Sequence, residues 1–263
     1  MKFMDQVNQT EVKPDHVEVF WLGQAGFLIK TQDGKQIVID PYFSDCVFRL
    51  NPQEGYGFKR MMPPVCDAKD LEIDVLLISH EHNDHFDVDA IEDLVKPKTE
   101  VYTNCVVADS MEQMGFDMKK VHRMEKGTPV ELPGCRILPV DCDHGELSPE
   151  ALGFLLDFGF IRIYYAGDTA WTKERLKVPL QIQPEAAILP INGAYGNLDS
   201  EAAVAYAREL NCRVCIPCHF WTFPLHRGEP QELIELMKEV PDCRLVMLCQ
   251  GESCTLGLDL LSK

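Results

Sequence analysis

The sequence predicts an α/β protein, a mixed β-sheet sandwich with helices on its outside, built as one domain over residues 1–263. Three observations predict it. Short β-type runs crowd the first forty residues and later alternate with helical segments. Residues 74–79 (DVLLIS) form a continuous apolar run of strand length, as expected for a strand buried on both faces. Finally, no internal repeat, low-complexity segment or Pro/Gly-rich linker interrupts the chain.

Taken in order, residues 17–21, 27–31 and 36–40 read as strands, with Asp33-Gly34 as the hairpin signal between the second and third. The 74–79 strand is followed by a helix over about 88–95, with Ile91, Leu94 and Val95 on one face and Asp87 as N-cap. A strand at 100–103 leads into a helix over about 106–114. The middle is β-rich, with strands at 129–132, 135–140, 152–158 and 161–165 and Gly159 near the last turn. The final third alternates again: strand 186–191, helix 200–210, strand 214–217, helix 230–240, then strands 244–249 and 253–259.

Composition narrows the function classes. The chain has 263 residues, 46% hydrophobic and 25% charged, which excludes a disordered segment. Lys and Arg number 25 against 42 Asp and Glu, a net charge of −17. Such acidity excludes a nucleic-acid partner, whose phosphates demand clustered cations, and disfavours anionic membranes. No apolar run approaches the roughly 18–20 residues of a membrane span. Residues 1–16 are polar and lack a signal-peptide core, so a cytoplasmic location is expected. The eleven cysteines, several within apolar runs (Cys105, Cys135, Cys215, Cys249), read as small core hydrophobes in a reducing compartment. A small molecule is the expected partner; nothing in the sequence reports on oligomeric state.

The chemistry concentrates in Ser79-His80-Glu81-His82-Asn83-Asp84-His85-Phe86-Asp87. Three of the eight histidines fall within six positions, just after the buried strand. In extended backbone His80 and His82 point to one side, while Asp84 and His85 sit where the chain turns away. Two imidazoles are thus offered to one metal, and a carboxylate and an imidazole to another. A polar loop facing solvent is the alternative; the density of ligand types and the position at a strand's carboxyl end argue against it.

The His-x-His-x-Asp-His run resembles the signature of the metallo-β-lactamase superfamily. Trp21-Leu22-Gly23-Gln24-Ala25-Gly26-Phe27 resembles the opening glycine loop of its L-ascorbate-6-phosphate lactonase-like branch. Ile37-Val38-Ile39-Asp40-Pro41 resembles the strand after that loop, whose Asp lies near the metals in the family. The resemblance implies an αββα four-layer sandwich and three further ligands. His144, in Asp143-His144-Gly145, would join His80 and His82 at one metal. Asp168, in Gly167-Asp168-Thr169, would bridge two metals, and His219, in Cys218-His219-Phe220, would join Asp84 and His85 at the second. Taken alone, each of the three is as well explained as a surface or turn residue; all three lie at expected strand ends.

Imidazole tautomers need fixing partners, for which Asp40 and Asp87 are the candidates. Asn192, in a glycine-rich loop, either lines the site or simply makes a turn. Cys212, Cys215, Cys218 and His219 form a Cys-x-x-Cys-x-x-Cys-His run that formally matches haem attachment or a thiolate metal site. A strand there would send residues three apart to opposite faces, and haem attachment follows export, so the haem reading is rejected.

The resemblance implies a hydrolase whose metal-bound hydroxide, oriented by Asp84 or Asp168, attacks a carbonyl or phosphoryl centre. One or two divalent ions are expected, zinc or manganese with iron also suited to these donors. A lactonase acting on a small sugar-type lactone is the leading expectation, a phosphodiester hydrolase the alternative, and a non-catalytic metal-binding sensor the alternative of another class. The flavodiiron type carries Glu where this chain has His82, which sets oxygen reduction aside. A phosphorylated substrate would need a local cationic patch, for which Arg49, Lys59, Arg60, His226 and Arg227 are available. Trp221 and Phe223 are expected either to wall a pocket or to pack in the core.

Overall fold

The computed structural model describes residues 2–261. In chain order its helices and strands are α1 (Phe3–Gln9), β1 (His16–Gly23), β2 (Gly26–Thr31), β3 (Gln36–Ile39), α2 (Cys46–Leu50), β4 (Val75–Ile78), α3 (Ile91–Leu94), β5 (Glu100–Thr103), α4 (Cys105–Gln113), β6 (Val121–Arg123), β7 (Val130–Leu132), β8 (Cys135–Asp141), β9 (Leu152–Asp157), β10 (Arg162–Tyr165), α5 (Lys177–Ile182), β11 (Ala186–Pro190), α6 (Ser200–Leu210), β12 (Val214–Cys218), α7 (Pro230–Leu236), β13 (Arg244–Leu245) and β14 (Ser253–Gly257). They form two mixed sheets with flanking helices, in the α/β class expected from the sequence. Among the described residues no helix is long and apolar enough to cross a membrane.

The chain divides into two compact units. The first runs from the N-terminus to Met124 and takes in Thr222–Leu225 and Leu248–Leu256. Its sheet has the order β14-β1-β2-β3-β4-β5-β6. β1, β2 and β3 pair antiparallel, while β3 through β6 run parallel. The Asp33-Gly34 turn forms as expected, with Gly34 at φ 82° donating to the Thr31 carbonyl at 2.9 Å. Every residue of β4 is buried, which explains its unbroken apolar run. Phe20, Leu28, Val38 and Leu76 of the sheet pack with Ile91 and Leu94 of α3 and with Val107, Ala108 and Met111 of α4. Each buried Leu, Val or Phe contributes about 1.5–3 kcal/mol relative to exposure.

Helix α1 was not expected from the polar N-terminus. Phe3 and Val7, four residues apart, turn one face inward, and the Phe3 ring meets Phe20 edge-on at 5.9 Å. The expected helix over 88–95 shortens to α3, which begins after Ala90 without a side-chain cap, while Asp87 divides its carboxylate between the Phe43 and Ser44 N–H groups and the Asp89 N–H at 3.2 Å.

The second unit comprises Glu125–Trp221, His226–Met247 and the chain from Gly257 onward. Its sheet has the order β13-β12-β11-β10-β9-β8-β7. β10 through β13 run parallel, and β10 through β7 antiparallel. Helix α6 starts where the Asp199 side chain accepts from the Ala202 N–H at 2.8 Å, and ends at Asn211 with φ 54°. Its buried face carries Ala203, Val204, Tyr206, Ala207 and Leu210. The expected strand over 244–249 survives only as β13, since Leu248–Leu256 belongs to the first unit. Cys135 and Cys215 are buried as expected, whereas Cys105 and Cys249 are exposed.

Candidate functional site

In the first unit, the chain leaves β4 at its carboxyl end and immediately presents Ser79 and His80, both fully buried. Asp40, at the end of β3 and also fully buried, adopts φ 43°, a left-handed conformation that Asp tolerates better than most residues. Its Oδ1 accepts the Ser79 backbone N–H at 2.7 Å, and its Oδ2 accepts the Ser79 hydroxyl. The same Oδ2 lies 2.7 Å from His85 Nδ1. Ser79 Oγ is also 2.9 Å from His80 Nδ1.

These bonds determine the tautomers. With its hydrogen given to Asp40, the Ser79 oxygen is left to accept from His80 Nδ1, so that ring presents a lone pair at Nε2. Asp40 takes the Nδ1 hydrogen of His85, which leaves the His85 Nε2 lone pair facing away. One serine and one aspartate therefore prepare two imidazoles as ligands. His80 Nε2 lies 3.0 Å from His82 Nδ1, so the two rings converge. Asp84 stands beside them, its Oδ2 3.7 Å from His85 Nε2.

Gln24 holds Asp84 in place by donating from Nε2 to Oδ2 at 2.9 Å. Gln24 is buried, at φ 51°, and its own N–H reaches Thr222 Oγ1 at 3.2 Å. Gly23 and Gly26 bracket Gln24 and Ala25 where the chain packs closely on its neighbours. A Cβ at Gly26 would lie 3.2 Å from the Asp40 carbonyl oxygen, and one at Gly23 would lie 2.9 Å from the Gln250 side chain.

In the second unit, Asp168 follows β10 and His219 follows β12, both at carboxyl ends of parallel strands. His144 follows β8. The Asp168 carboxylate turns one oxygen toward each ring: Oδ2 is 3.7 Å from His144 Nε2, and Oδ1 is 3.3 Å from His219 Nε2. All three are buried. Thr169 and Asp143 fasten the arrangement. Thr169 Oγ1 accepts the Asp143 N–H at 2.8 Å, the Asp143 carbonyl accepts from Ala170 at 2.8 Å, and Thr172 donates to the Asp143 carboxylate. His219 sits at φ 60°, a strained conformation of the kind that collects at functional sites.

These residues fit a divalent cation. His80 Nε2 and His82 Nδ1 converge to 3.0 Å, the Asp84 carboxylate stands 3.7 Å from His85 Nε2, and imidazole with carboxylate is the donor chemistry of zinc, manganese or iron.

Other residues singled out in the sequence have different roles. Asp87 does not orient an imidazole: its Oδ2 accepts from the Phe43 and Ser44 N–H groups at 2.8 and 2.7 Å, and its Oδ1 accepts the Ser44 hydroxyl at 2.5 Å. It pins the loop after Asp40. Arg60 is a framework residue, donating to the Tyr42 carbonyl at 2.7 Å with its guanidinium 4.8 Å above the Tyr42 ring. Phe223 packs in a small core with Tyr42, Cys46 and Val47. Trp221 is exposed at φ 58° and meets Phe220 edge-on, and the half-buried His226 packs against the exposed Tyr195 ring at 4.4 Å. Asn192 is buried in the loop after β11. Cys215 and Cys218 belong to the buried strand β12, and burial pushes the Cys215 thiol far above its ordinary range.

Gln24 and Ser79 were missed as functional residues. The signal for Gln24 was its place between two glycines, and for Ser79 its place between a buried strand and a histidine.

Comparison with known proteins agrees with this donor chemistry. A family model described as a beta-lactamase superfamily domain matches residues 18–219. A UPF0173 metal-dependent hydrolase from Cupriavidus taiwanensis is 31% identical over 237 residues, covering 82% of this chain and 78% of that protein. Another, from Methanosarcina mazei, is 25% identical over 249 residues, covering 91% and 99% respectively. The crystal structure of a possible metal-dependent hydrolase from Veillonella parvula shares the fold, with a TM-score of 0.75, 18% identity, and coverage of 91% and 99%.

Proposed function

The chain belongs to the metallo-β-lactamase superfamily, among its UPF0173 metal-dependent hydrolases, and from that membership we propose that it opens small, uncharged lactones of the sugar type. The ligands in this reading are His80, His82, Asp84 and His85 of the first unit, and His144, Asp168 and His219 of the second. A bound divalent cation lowers the pKa of water to about 7 and draws electron density from a carbonyl. Gln24 restricts the Asp84 carboxylate to one rotation, so that it orients the attacking water rather than swinging away. The carboxylate that orients the water, Asp84 or Asp168, takes the proton released as the water oxygen bonds to the carbonyl carbon. It returns that proton to the ring oxygen as the ring C–O bond breaks, leaving an open-chain hydroxy acid.

The observation that favours a neutral carbonyl substrate over a phosphodiester is the engagement of the candidate cations. Arg49 holds Asp89 at 2.9 and 2.5 Å, Lys59 pairs with Asp45, Arg60 serves the Tyr42 carbonyl, and Arg227 lies 3.9 Å from Glu229. The test is elemental analysis of purified protein, followed by assays of neutral lactones, phosphorylated lactones and bis-p-nitrophenyl phosphate after chelation and reloading with zinc, manganese or iron. Lactone hydrolysis should vanish on chelation and return with metal, and His80→Ala and Asp168→Ala should each lose bound metal together with activity. Faster cleavage of the phosphodiester, or variants that keep both metal and activity, would overturn the proposal.

A further inference from the structure

The loop joining β11 to α6 carries two asparagines whose polar atoms the fold buries and does not use. Asn192 is 7% exposed and Asn197 9% exposed. The Asn192 amide nitrogen donates to the Ala194 carbonyl at 3.5 Å, which identifies its oxygen, and that buried oxygen has no hydrogen-bond partner. Neither the nitrogen nor the oxygen of the Asn197 amide has one either. Buried polar groups are hydrogen-bonded in the great majority of cases, so three orphaned atoms within six residues call for an explanation.

The loop is built to hold them. The Ala194 carbonyl that receives Asn192 also accepts the Asn197 N–H at 3.0 Å, so one oxygen anchors both residues. Gly193 donates to the Leu198 carbonyl at 2.9 Å and sits at φ 62°, where a Cβ would lie 3.1 Å from Asp199 Cβ. The loop is also tied to the functional residues of its own unit. Leu198 N–H reaches the carbonyl of Thr169, the residue after Asp168, at 2.9 Å. Ile191 N–H reaches the carbonyl of Cys218, the residue before His219, at 3.0 Å.

We propose that Asn192 and Asn197 form a receptor for hydroxyl groups of the substrate. The orphaned atoms are two carbonyl oxygens and one NH2 group, so a complementary ligand must both donate and accept hydrogen bonds. A hydroxyl does both. A phosphate dianion only accepts, and would set its lone pairs against the two amide oxygens. The inference rests on the hydrolase reading above and extends it from a lactone ring to the hydroxyls that the ring carries.

The experiment uses D-ribono-1,4-lactone, which carries hydroxyls, and γ-butyrolactone, which carries none, with metal-loaded wild type, Asn197→Leu and Asn192→Leu. Leucine keeps the volume and removes the orphaned atoms, so the Tm of the free variants should hold or rise. The ratio of kcat/KM for ribonolactone over butyrolactone should fall about tenfold or more in each variant. A lowered Tm with an unchanged ratio would make the amides structural, holding buried water, and would overturn the inference. An unchanged Tm with an unchanged ratio would overturn it equally. If the wild type turns over neither lactone, calorimetric binding decides. Ribonolactone bound by the wild type and about tenfold more weakly by the variants would sustain the receptor while the lactonase reading fails. Equal binding by all three, or none by the wild type, would end the receptor as well.

Discussion

At the scale of single residues, the histidines and aspartates proposed as metal ligands stand out in the sequence because His-x-His-x-Asp-His is dense and few structural roles require it. What those residues rely on was less legible. Ser79 and Gln24 are residue types with many uses, and only the fold shows that one relays Asp40 to His80 while the other holds Asp84. Asp87 is a candidate partner for an imidazole in the sequence, yet in the fold the Phe43, Ser44 and Asp89 N–H groups and the Ser44 hydroxyl claim it. Asp40 is the residue whose loss should matter most beyond the ligands themselves. Asp40→Asn keeps the shape and the tolerance for φ 43° but places an NH2 or a neutral oxygen against Ser79 and His85. The tautomers of His80 and His85 then lose their common determinant. Metal affinity, measured by competition with a chromogenic chelator, should drop about 10–100-fold. An unchanged affinity would show that the Asp40–Ser79 relay does not prepare the ligands.

Among secondary-structure elements, the strands and the larger helices followed from apolar runs and turn residues, and the Asp33-Gly34 hairpin forms where its signal lies. Short elements were harder to foresee, because a seven-residue helix is stabilised by its packing rather than by propensity. Helix α1 shows how. Its Phe3 and Val7 bury against the sheet, and its carboxyl end is closed by Lys30 of β2, which donates to the carbonyls of Val7 at 2.7 Å and Thr10 at 2.8 Å. No local pattern announces a cap supplied from twenty residues away. A cation at a helix carboxyl end satisfies orphaned acceptors and opposes the negative end of the dipole. Lys30→Met keeps the stem and removes both effects, so it should cost about 1–2 kcal/mol. In hydrogen exchange the amides of Phe3–Gln9 should lose protection while those of β4 keep theirs. Equal loss in both would mean that the helix and the central strand open together.

The chain as a whole carries a net charge of −17, and that field acts on a substrate before any contact forms. Its reach depends on salt: the screening length is about 30 Å at 0.01 M ionic strength and about 8 Å at 0.15 M. An anionic substrate is therefore repelled most at low salt, and a neutral one is indifferent. The sign of the salt effect thus distinguishes the two substrate classes independently of any mutation. For a neutral lactone, kcat/KM should stay within about twofold from 0.01 to 0.15 M NaCl. For a phosphorylated lactone of the same ring it should be lower throughout and rise with salt, as screening shortens the repulsion. With Arg49, Lys59 and Arg227 paired to carboxylates, and Arg60 committed to a backbone carbonyl, no compensating local attraction is expected from them. A phosphorylated lactone hydrolysed faster at 0.01 M than at 0.15 M would reverse this conclusion. It would mean that cations near the reacting groups outweigh the global charge, and that one or more of these arginines and lysines exchanges its carboxylate for the substrate's phosphate.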